Sequence, residues 1–209
     1  MKKLSTCLFV CLLASQANAG PITFSDEATF LGTTGSLSLE SFESEVATNS
    51  RNLSSLDLAD FTVSMNAGDT MGVFTGDFFG GHATDGSNYL GFSDGHDYVD
   101  YSFDTSINSF GINLTDFGDF GYGSVTFSNE IGDSYTAAIS GAANANEQFF
   151  GIITDFNFSN VRLSQNISGE FYAVDEIYYG TTGVPEPATF ALLGLGFAGI
   201  GFVRRKKAS

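Results

Sequence analysis

The sequence predicts an all-β fold, an antiparallel β-sandwich of jelly-roll type, with a targeting segment at each end of the chain. Aromatic residues are abundant, with 22 Phe and 8 Tyr, and these residues favour strands. Between Gly20 and Gly183, apolar and polar residues alternate in short runs, which is the period of a half-buried strand. Clusters of Gly, Asp, Asn and Ser at residues 84–88, 93–95 and 129–133 separate these runs as turns do.

The alternation also assigns individual side chains to the core. The residues predicted to face inward are Phe61 and Val63, Val99, Tyr101 and Phe103, Phe110, Ile112 and Leu114, Val125 and Phe127, the strand 149–153, Val161 and Leu163, and the closing run 171–179. We expect residues 125–129 and 134–139 to form a β-hairpin. One short helix is predicted over 25–31, with Ser25 or Asp26 as its N-cap.

Charge is distributed unevenly along the chain. All 24 acidic residues lie between Asp26 and Glu186, where Arg51 and Arg162 are the only bases, so this stretch carries a net charge of −22. Such a surface repels phosphate backbones, which excludes nucleic acid as a partner. Solubility outside the cell explains most of the charge, and binding of divalent cations is the alternative.

The N-terminal residues 1–19 have the three parts of a signal peptide. Two lysines precede an apolar run over 4–14 that is too short to span a bilayer. Ala17 and Ala19 then supply the small residues that signal peptidase accepts, which predicts cleavage before Gly20. Both cysteines of the chain lie in this segment. The mature protein is therefore expected to contain no disulfide and no thiolate metal site.

The C-terminal residues 184–209 form a tail that also has three parts. It opens with Val184, Pro185, Glu186 and Pro187, and the prolines oppose helix formation there. An apolar run over 188–203 follows, and as a helix it would reach only ~24 Å, less than the ~30 Å of a hydrocarbon core. The tail closes with the basic residues Arg204, Arg205, Lys206 and Lys207, which favour the cytoplasmic side. The pattern predicts a short transmembrane helix with a cytoplasmic stop.

This tail resembles the PEP-CTERM sorting signal. The resemblance implies recognition by an exosortase-type membrane protease, with Pro185, Glu186 and Pro187 as the recognition motif. It further implies export through the inner membrane of a Gram-negative bacterium that makes extracellular polysaccharide. The protein would be anchored transiently by its tail and would then reach the cell surface or the matrix of a biofilm. An ordinary C-terminal membrane anchor is the alternative interpretation.

The domain predicted over residues 20–183 carries a second resemblance. Residues 41–43 and 173–177 resemble the two ends of jelly rolls of the carbohydrate-binding-module type. That resemblance implies that Glu43 and Asp175 hold a structural calcium ion together with backbone carbonyl oxygens. From the residues alone, Asp175 on an apolar strand needs some partner. Arg162 or solvent at a strand edge is the alternative to calcium.

The function predicted from these features is that of an exported, non-catalytic surface or matrix protein that binds glycan, calcium or both. No nucleophile elbow or phosphate-binding loop is present. His82 and His96 are expected in solvated loops, with a two-histidine metal site as the alternative. Tyr89, Tyr98 and Tyr122 are candidates for stacking on sugar rings. A secreted hydrolase that acts on polysaccharide with an unidentified acid pair is the alternative function. The predicted partners are signal peptidase, exosortase and polysaccharide, with membrane contact through the tail alone.

Overall fold

The computed structural model describes residues 20–66, 70–78, 80–92, 98–118, 122–140, 146–165 and 171–183. Within these ranges the chain forms one helix, α1 (Glu27–Thr34), and eleven strands. The strands are β1 (Ile22–Phe24), β2 (Ser38–Glu40), β3 (Ser55–Asp57), β4 (Phe61–Met65), β5 (Met71–Thr75), β6 (Asn88–Phe92), β7 (Tyr98–Thr115), β8 (Tyr122–Ser128), β9 (Ser134–Ser140), β10 (Glu147–Gln165) and β11 (Tyr172–Gly180).

Both predicted targeting segments lie outside the described residues. These are the signal peptide over 1–19 and the tail over 184–209, including its apolar helix and basic stop. The cleavage site before Gly20 therefore stays a prediction, as does the division of the chain into three parts. Within the described ranges, no helix combines the length and the apolar character that crossing a bilayer requires.

Two long strands, β7 and β10, belong to both sheets of the fold. Residues 98–102 of β7 pair with 160–164 of β10, and residues 109–115 of β7 pair with 147–153 of β10. The register shifts between these two stretches, as it does at a β-bulge, which bends a strand. Each of the two strands thus passes from one sheet into the other.

The two sheets are antiparallel throughout. The first sheet has the order β3-β4-β7-β10-β8-β9. The second has the order β5-β6-β11-β7-β10-β1, with β2 beside the C-terminal half of β11. The prediction of an antiparallel all-β sandwich is confirmed.

The apolar core lies between the two sheets. The rings of Phe61 in the first sheet and Tyr179 in the second have centroids 5.3 Å apart, and those of Phe127 and Phe110 are 6.0 Å apart. The side chains that alternation predicted for β4, β7, β8 and the C-terminal half of β10 are all buried in this core. Each buried side chain of this size contributes about 1.5–3 kcal/mol, so the core dominates the stability of the fold.

Helix α1 covers one part of the outer face of the second sheet. The predicted helix is confirmed, and it continues beyond the predicted end to Thr34. Asp26 is the N-cap, because its Oδ1 accepts a hydrogen bond from the backbone N–H of Thr29 at 2.8 Å. Such a cap satisfies one of the free donors in the first turn.

Two glycines in the sheet make room for the helix. The ring of Phe30, a buried residue of α1, lies over Gly111 of β7 and Gly151 of β10. A Cβ atom on Gly111 would lie 2.7 Å from this ring, and one on Gly151 would lie 2.8 Å from it. The close approach of helix and sheet therefore depends on the absence of side chains at both positions.

This packing yields a prediction about stability. Replacing Gly111 by Ala forces Phe30 out of its position, and we expect the free energy of unfolding to fall by about 1–3 kcal/mol. Gly32→Ala in α1 is the matched control, because a Cβ there meets nothing within 4 Å and alanine favours helix. Urea denaturation measures both variants. Equal stability of the two variants would contradict the proposed packing.

Candidate functional site

The outer face of the first sheet is polar from one edge to the other. We call it the polar face, and its side chains are all exposed or partly exposed. In-register pairing aligns them in three rows that run across the strands. The first row is Asp57, Thr62, Ser102, Asn160, Ser128 and Ser134. The second is Ser55, Ser64, Asp100, Arg162, Thr126 and Thr136, and the third is Tyr98, Ser164, Ser124 and Ala138.

Hydrogen bonds between neighbouring strands order the polar face. The Thr62 hydroxyl donates to Asp57 Oδ1 at 2.9 Å, and the hydroxyl oxygens of Thr126 and Thr136 are 2.9 Å apart. Because neighbouring strands are spaced by about 4.8 Å, the six strands present an array roughly 24 Å wide. The face is therefore a regular surface of hydroxyl and amide groups.

Arg162 lies in the middle of the polar face and is paired there with Asp100. Its Nε and Nη2 donate to the two carboxylate oxygens of Asp100, each at 2.7 Å. Its guanidinium carbon lies 3.7 Å from the ring centroid of Tyr98. The hydrogen bonds that Arg162 donates to Asp100 raise the pKa of Arg162. The alternative in which Arg162 forms a salt bridge with Asp175 is therefore wrong, because the guanidinium pairs with Asp100 instead.

The three tyrosines predicted to meet sugar rings have different positions. Tyr98 lies on the polar face and is partly exposed. Tyr89 is fully buried between the rings of its neighbours, with its centroid 5.9 Å from that of Phe74, so the prediction for Tyr89 is wrong. Tyr122 begins β8, and its side chain lies outside the described part of the structure.

Asp175, one of the two implied calcium ligands, anchors the loop over residues 84–88. Its Oδ2 accepts hydrogen bonds from the backbone N–H of Thr84 at 2.9 Å and of Asp85 at 3.1 Å. The Thr84 hydroxyl lies 3.2 Å from the same oxygen. Oδ1 accepts from the backbone N–H of Glu176 at 2.8 Å. The carboxylate thus has a donor set that stabilises its charge without a cation.

Glu43, the other implied ligand, holds the opposite end of the same loop. Its Oε1 accepts hydrogen bonds from the backbone N–H groups of Ser87 and Asn88, each at 2.6 Å. Glu43 and Asp175 therefore contact the two ends of one loop. Their common feature is the loop over 84–88 rather than a shared ligand sphere.

The donor set around these two carboxylates does not fit calcium in this conformation. Calcium takes oxygen ligands, whereas N–H and O–H groups face both carboxylates. Within the described ranges, no group of three or more His, Cys, Asp or Glu side chains is arranged to hold a metal ion. Calcium at Glu43 and Asp175 stays a prediction. It requires the loop to turn its carbonyl oxygens inward.

A second polar cluster lies on the outer face of the second sheet. A register shift in β11 and a positive φ of 46° at Glu176 mark a β-bulge. The Asn113 Nδ2 donates to Glu176 Oε2 at 2.9 Å and to Glu27 Oε2 at 3.0 Å. The Tyr178 hydroxyl lies 2.6 Å from Glu27 and 2.9 Å from Glu176. These contacts fasten the first turn of α1 to β11.

His82 connects the loop before β6 with the start of β10. Its Nδ1 lies 3.0 Å from the carbonyl oxygen of Gly80, and its Nε2 lies 3.1 Å from Glu147 Oε1. Burial lowers the pKa of His82, but the hydrogen bonds to Gly80 and Glu147 outweigh burial, so the pKa is raised. His96 lies outside the described residues, and the two-histidine site stays untested.

The C-terminal tail is recognised by comparison with known families. Residues 183–207 match the family model of the PEP-CTERM protein-sorting motif. The tail is a PEP-CTERM sorting motif. The match confirms the predicted resemblance of this tail to the PEP-CTERM signal. The motif indicates export across the inner membrane and a transient C-terminal anchor.

Three solved structures of β-sandwich domains are similar to this chain. The K2 cleaved adhesin domain of Lys-gingipain is 16% identical, with 69% of this chain and 99% of that chain covered and a TM-score of 0.47. The K1 adhesin domain from Porphyromonas gingivalis is 10% identical, covers 71% and 100%, and has a TM-score of 0.44. The CBM22-1 xylan-binding domain from Paenibacillus barcinonensis is 13% identical, covers 72% and 99%, and has a TM-score of 0.46. No curated protein sequence matches the chain.

The burial of Asp175 predicts a specific dependence of stability on pH. Asp175 is 1% exposed, and burial raises its pKa from 3.8 to about 6, although the hydrogen bonds from residues 84, 85 and 176 act in the opposite direction. The native state thus binds a proton more tightly than the unfolded chain does. The stabilisation that this proton gives the native state is full at low pH and is lost as the pH rises to about 6.

Asp175→Asn removes this titration. The difference in unfolding free energy between wild type and Asp175→Asn should therefore shift against the wild type by about 1 kcal/mol from pH 5 to pH 7. Urea denaturation of both proteins at a series of pH values measures it, and all other titrations cancel in the difference. A difference that is constant with pH would show that Asp175 is ionised throughout this range.

Proposed function

We propose that this chain is a non-catalytic protein of the cell surface or extracellular matrix that binds glycan through its polar face. The observation that carries this proposal is the alignment of polar side chains, most of them Ser or Thr, in two rows across six strands and a third across four. Sugars display hydroxyl groups that both donate and accept hydrogen bonds. Ser, Thr and Asn side chains do the same, so the two surfaces are chemically complementary.

The composition of the polar face favours glycan over other macromolecules. Protein interfaces have an apolar core with aromatic anchors, whereas the one aromatic residue in the rows is Tyr98, which Arg162 already contacts. A nucleic acid would meet a stretch of net charge −22, which repels its phosphates. A glycan, which meets such a hydroxyl-rich surface through hydrogen bonds, is the remaining match.

The sorting motif supports an extracellular location for such a binding face. We propose that signal peptidase cleaves before Gly20 and that an exosortase processes the chain at Pro185, Glu186 and Pro187. The tail is then the single contact of the protein with the membrane. Export of this kind, in a Gram-negative bacterium, delivers the domain to the layer that contains the polysaccharide of the cell.

A polysaccharide hydrolase is the second candidate, and Glu27 and Glu176 are the observation that favours it. The two carboxylates lie within hydrogen-bond distance of one tyrosine hydroxyl, and glycosidases use paired carboxylates. We favour the structural role, because Asn113 and Tyr178 already engage both groups in holding α1. Turnover of matrix polysaccharide by the purified domain, abolished by Glu176→Gln, would instead support the hydrolase.

Removal of a hydroxyl from the polar face tests the proposed function. Thr126→Val keeps the shape of the side chain, and valine favours strands as threonine does. The change removes one hydroxyl from the second row. We expect affinity for the polysaccharide of the host to fall about fivefold, as the loss of a hydrogen bond worth about 1 kcal/mol predicts. Calorimetric titration or affinity electrophoresis measures the change.

The matched control for this variant is Thr75→Val. Thr75 is an exposed strand residue in β5 of the second sheet and belongs to none of the three rows. We expect it to leave affinity unchanged. Equal loss in the two variants, or no binding of any polysaccharide by the wild-type protein, would overturn the assignment of the polar face.

The proposed processing also has a direct test. Replacing Pro185, Glu186 and Pro187 together by Ala should leave the full-length protein in the inner-membrane fraction, because the protease loses its recognition motif. The wild-type gene in a strain without exosortase is the control and should show the same accumulation. Normal release of the triple variant would show that these residues are not the recognition motif.

A further inference from the structure

We propose that the polar face selects an electrically neutral, linear polysaccharide and rejects polyanionic ones. This inference rests on the proposed function and specifies the ligand of the same face. Three properties of the face carry it: the occupation of its one cation, the charge around it, and the direction of its rows.

The one cation among the side chains of the three rows is already occupied. Both carboxylate oxygens of Asp100 accept hydrogen bonds of 2.7 Å from Arg162, in the paired geometry that makes Arg–carboxylate contacts strong. The guanidinium also packs on the Tyr98 ring. A uronic acid or sulfate group on a ligand would have to compete with Asp100 for the charge of this guanidinium, which the pair already neutralises. The usual means of binding an anionic sugar is therefore absent from these rows.

The surroundings of the face add electrostatic repulsion. With Asp57 and Asp100 against Arg162, the rows carry a net negative charge. The stretch from Asp26 to Glu186 contains one other base, Arg51, against 24 acidic residues. Charges within about 8–10 Å of one another still interact at physiological ionic strength. Each anionic sugar of a polymer would thus lie in a negative potential along the whole face.

The direction of the rows determines the shape of the ligand. The rows run perpendicular to the strands: two extend from β3 at one edge of the first sheet to β9 at the other, and the third extends from β7 to β9. Polar side chains, most of them Ser or Thr, follow one another along the rows at about 4.8 Å, close to the length of one sugar unit. A linear chain that lies across the strands along either six-strand row meets a polar side chain at each unit, so affinity should rise with chain length up to about five units, the width of the face.

The decisive experiment compares two forms of one polymer. Polygalacturonate is tested as isolated and after chemical reduction of its carboxyl groups to alcohols, which leaves the backbone unchanged. We expect wild-type protein to bind the reduced form at least tenfold more tightly, with little effect of salt on that binding. Neutral xylan and galactan oligomers of increasing length test the dependence on chain length.

Asp100→Asn is the variant that should change this selectivity. It removes the carboxylate that occupies Arg162, so the guanidinium becomes available to an anionic sugar, and the preference for the reduced polymer should fall about tenfold. Asp57→Asn is the matched control. It removes the same charge from the face, but its partner is the Thr62 hydroxyl, so it frees no cation and should alter the preference much less.

The possible outcomes separate this inference from the proposed function. If the wild-type protein binds neither form nor any neutral oligomer, the proposed function itself fails. If it binds both forms equally, or the anionic form better, glycan binding stands and the inference of neutral selectivity is overturned. The wild-type comparison gives this answer even if Asp100→Asn does not fold. Equal changes of preference in the two Asn variants would show that net charge, rather than release of Arg162, sets the selectivity.

Discussion

The register between β7 and β10 is the constraint on which the rest of the structure depends. These two strands pair over 98–102 with 160–164 in one sheet and over 109–115 with 147–153 in the other. Successive side chains in a strand point to opposite faces, so this register decides which residues enter the core and which form the polar rows. A slip by one residue would move Tyr101 and Val161 outward and bring Asp100 and Arg162 into the core. Core and candidate site are thus two consequences of one pairing.

The outer face of the second sheet is partly covered by other segments, whereas the outer face of the first sheet carries the rows. This difference locates the candidate site. On the second sheet, α1 packs over Gly111 and Gly151, and an aromatic cluster around Phe74 occupies another part of the face. The carboxylates there hold covering segments in place: Asp175 binds the backbone of the loop at 84 and 85, and Glu176 shares donors with the helix. Burial of Asp175 has an energetic cost, which its hydrogen bonds offset only in part. On the first sheet, the outward side chains of the rows remain accessible to a ligand.

Much of this arrangement could be predicted from local patterns, and the errors have a common physical cause. Alternation identified the core residues of β4, β7 and β8, turn residues identified the hairpin of β8 and β9, and a capping residue identified the helix. Each of these patterns lies within a short stretch of sequence. The polar rows depend on which strands pair, and Asp100 and Arg162 are 62 positions apart, so no local pattern joins them. Tyr89 was assigned wrongly because β6 is covered on both faces: four of its five residues are buried, and alternation carries no signal there. The sequence shows the outward Ser and Thr residues of each strand. Their alignment in rows follows only from the pairing of the strands.

The pairing of Arg162 with Asp100 also explains how an acidic domain can carry a cation in the middle of the polar face, the proposed binding surface, without attracting anions. An unpaired guanidinium there would be a site of positive potential within a stretch of charge −22, and it would bind carboxylates of other copies of the protein. The bidentate contact neutralises it, and the Tyr98 ring fixes its orientation. What remains for recognition is hydrogen bonding, which is directional and individually weak in water. Affinity on such a face must come from many equivalent contacts along one ligand, and a polymer with a repeating unit supplies them.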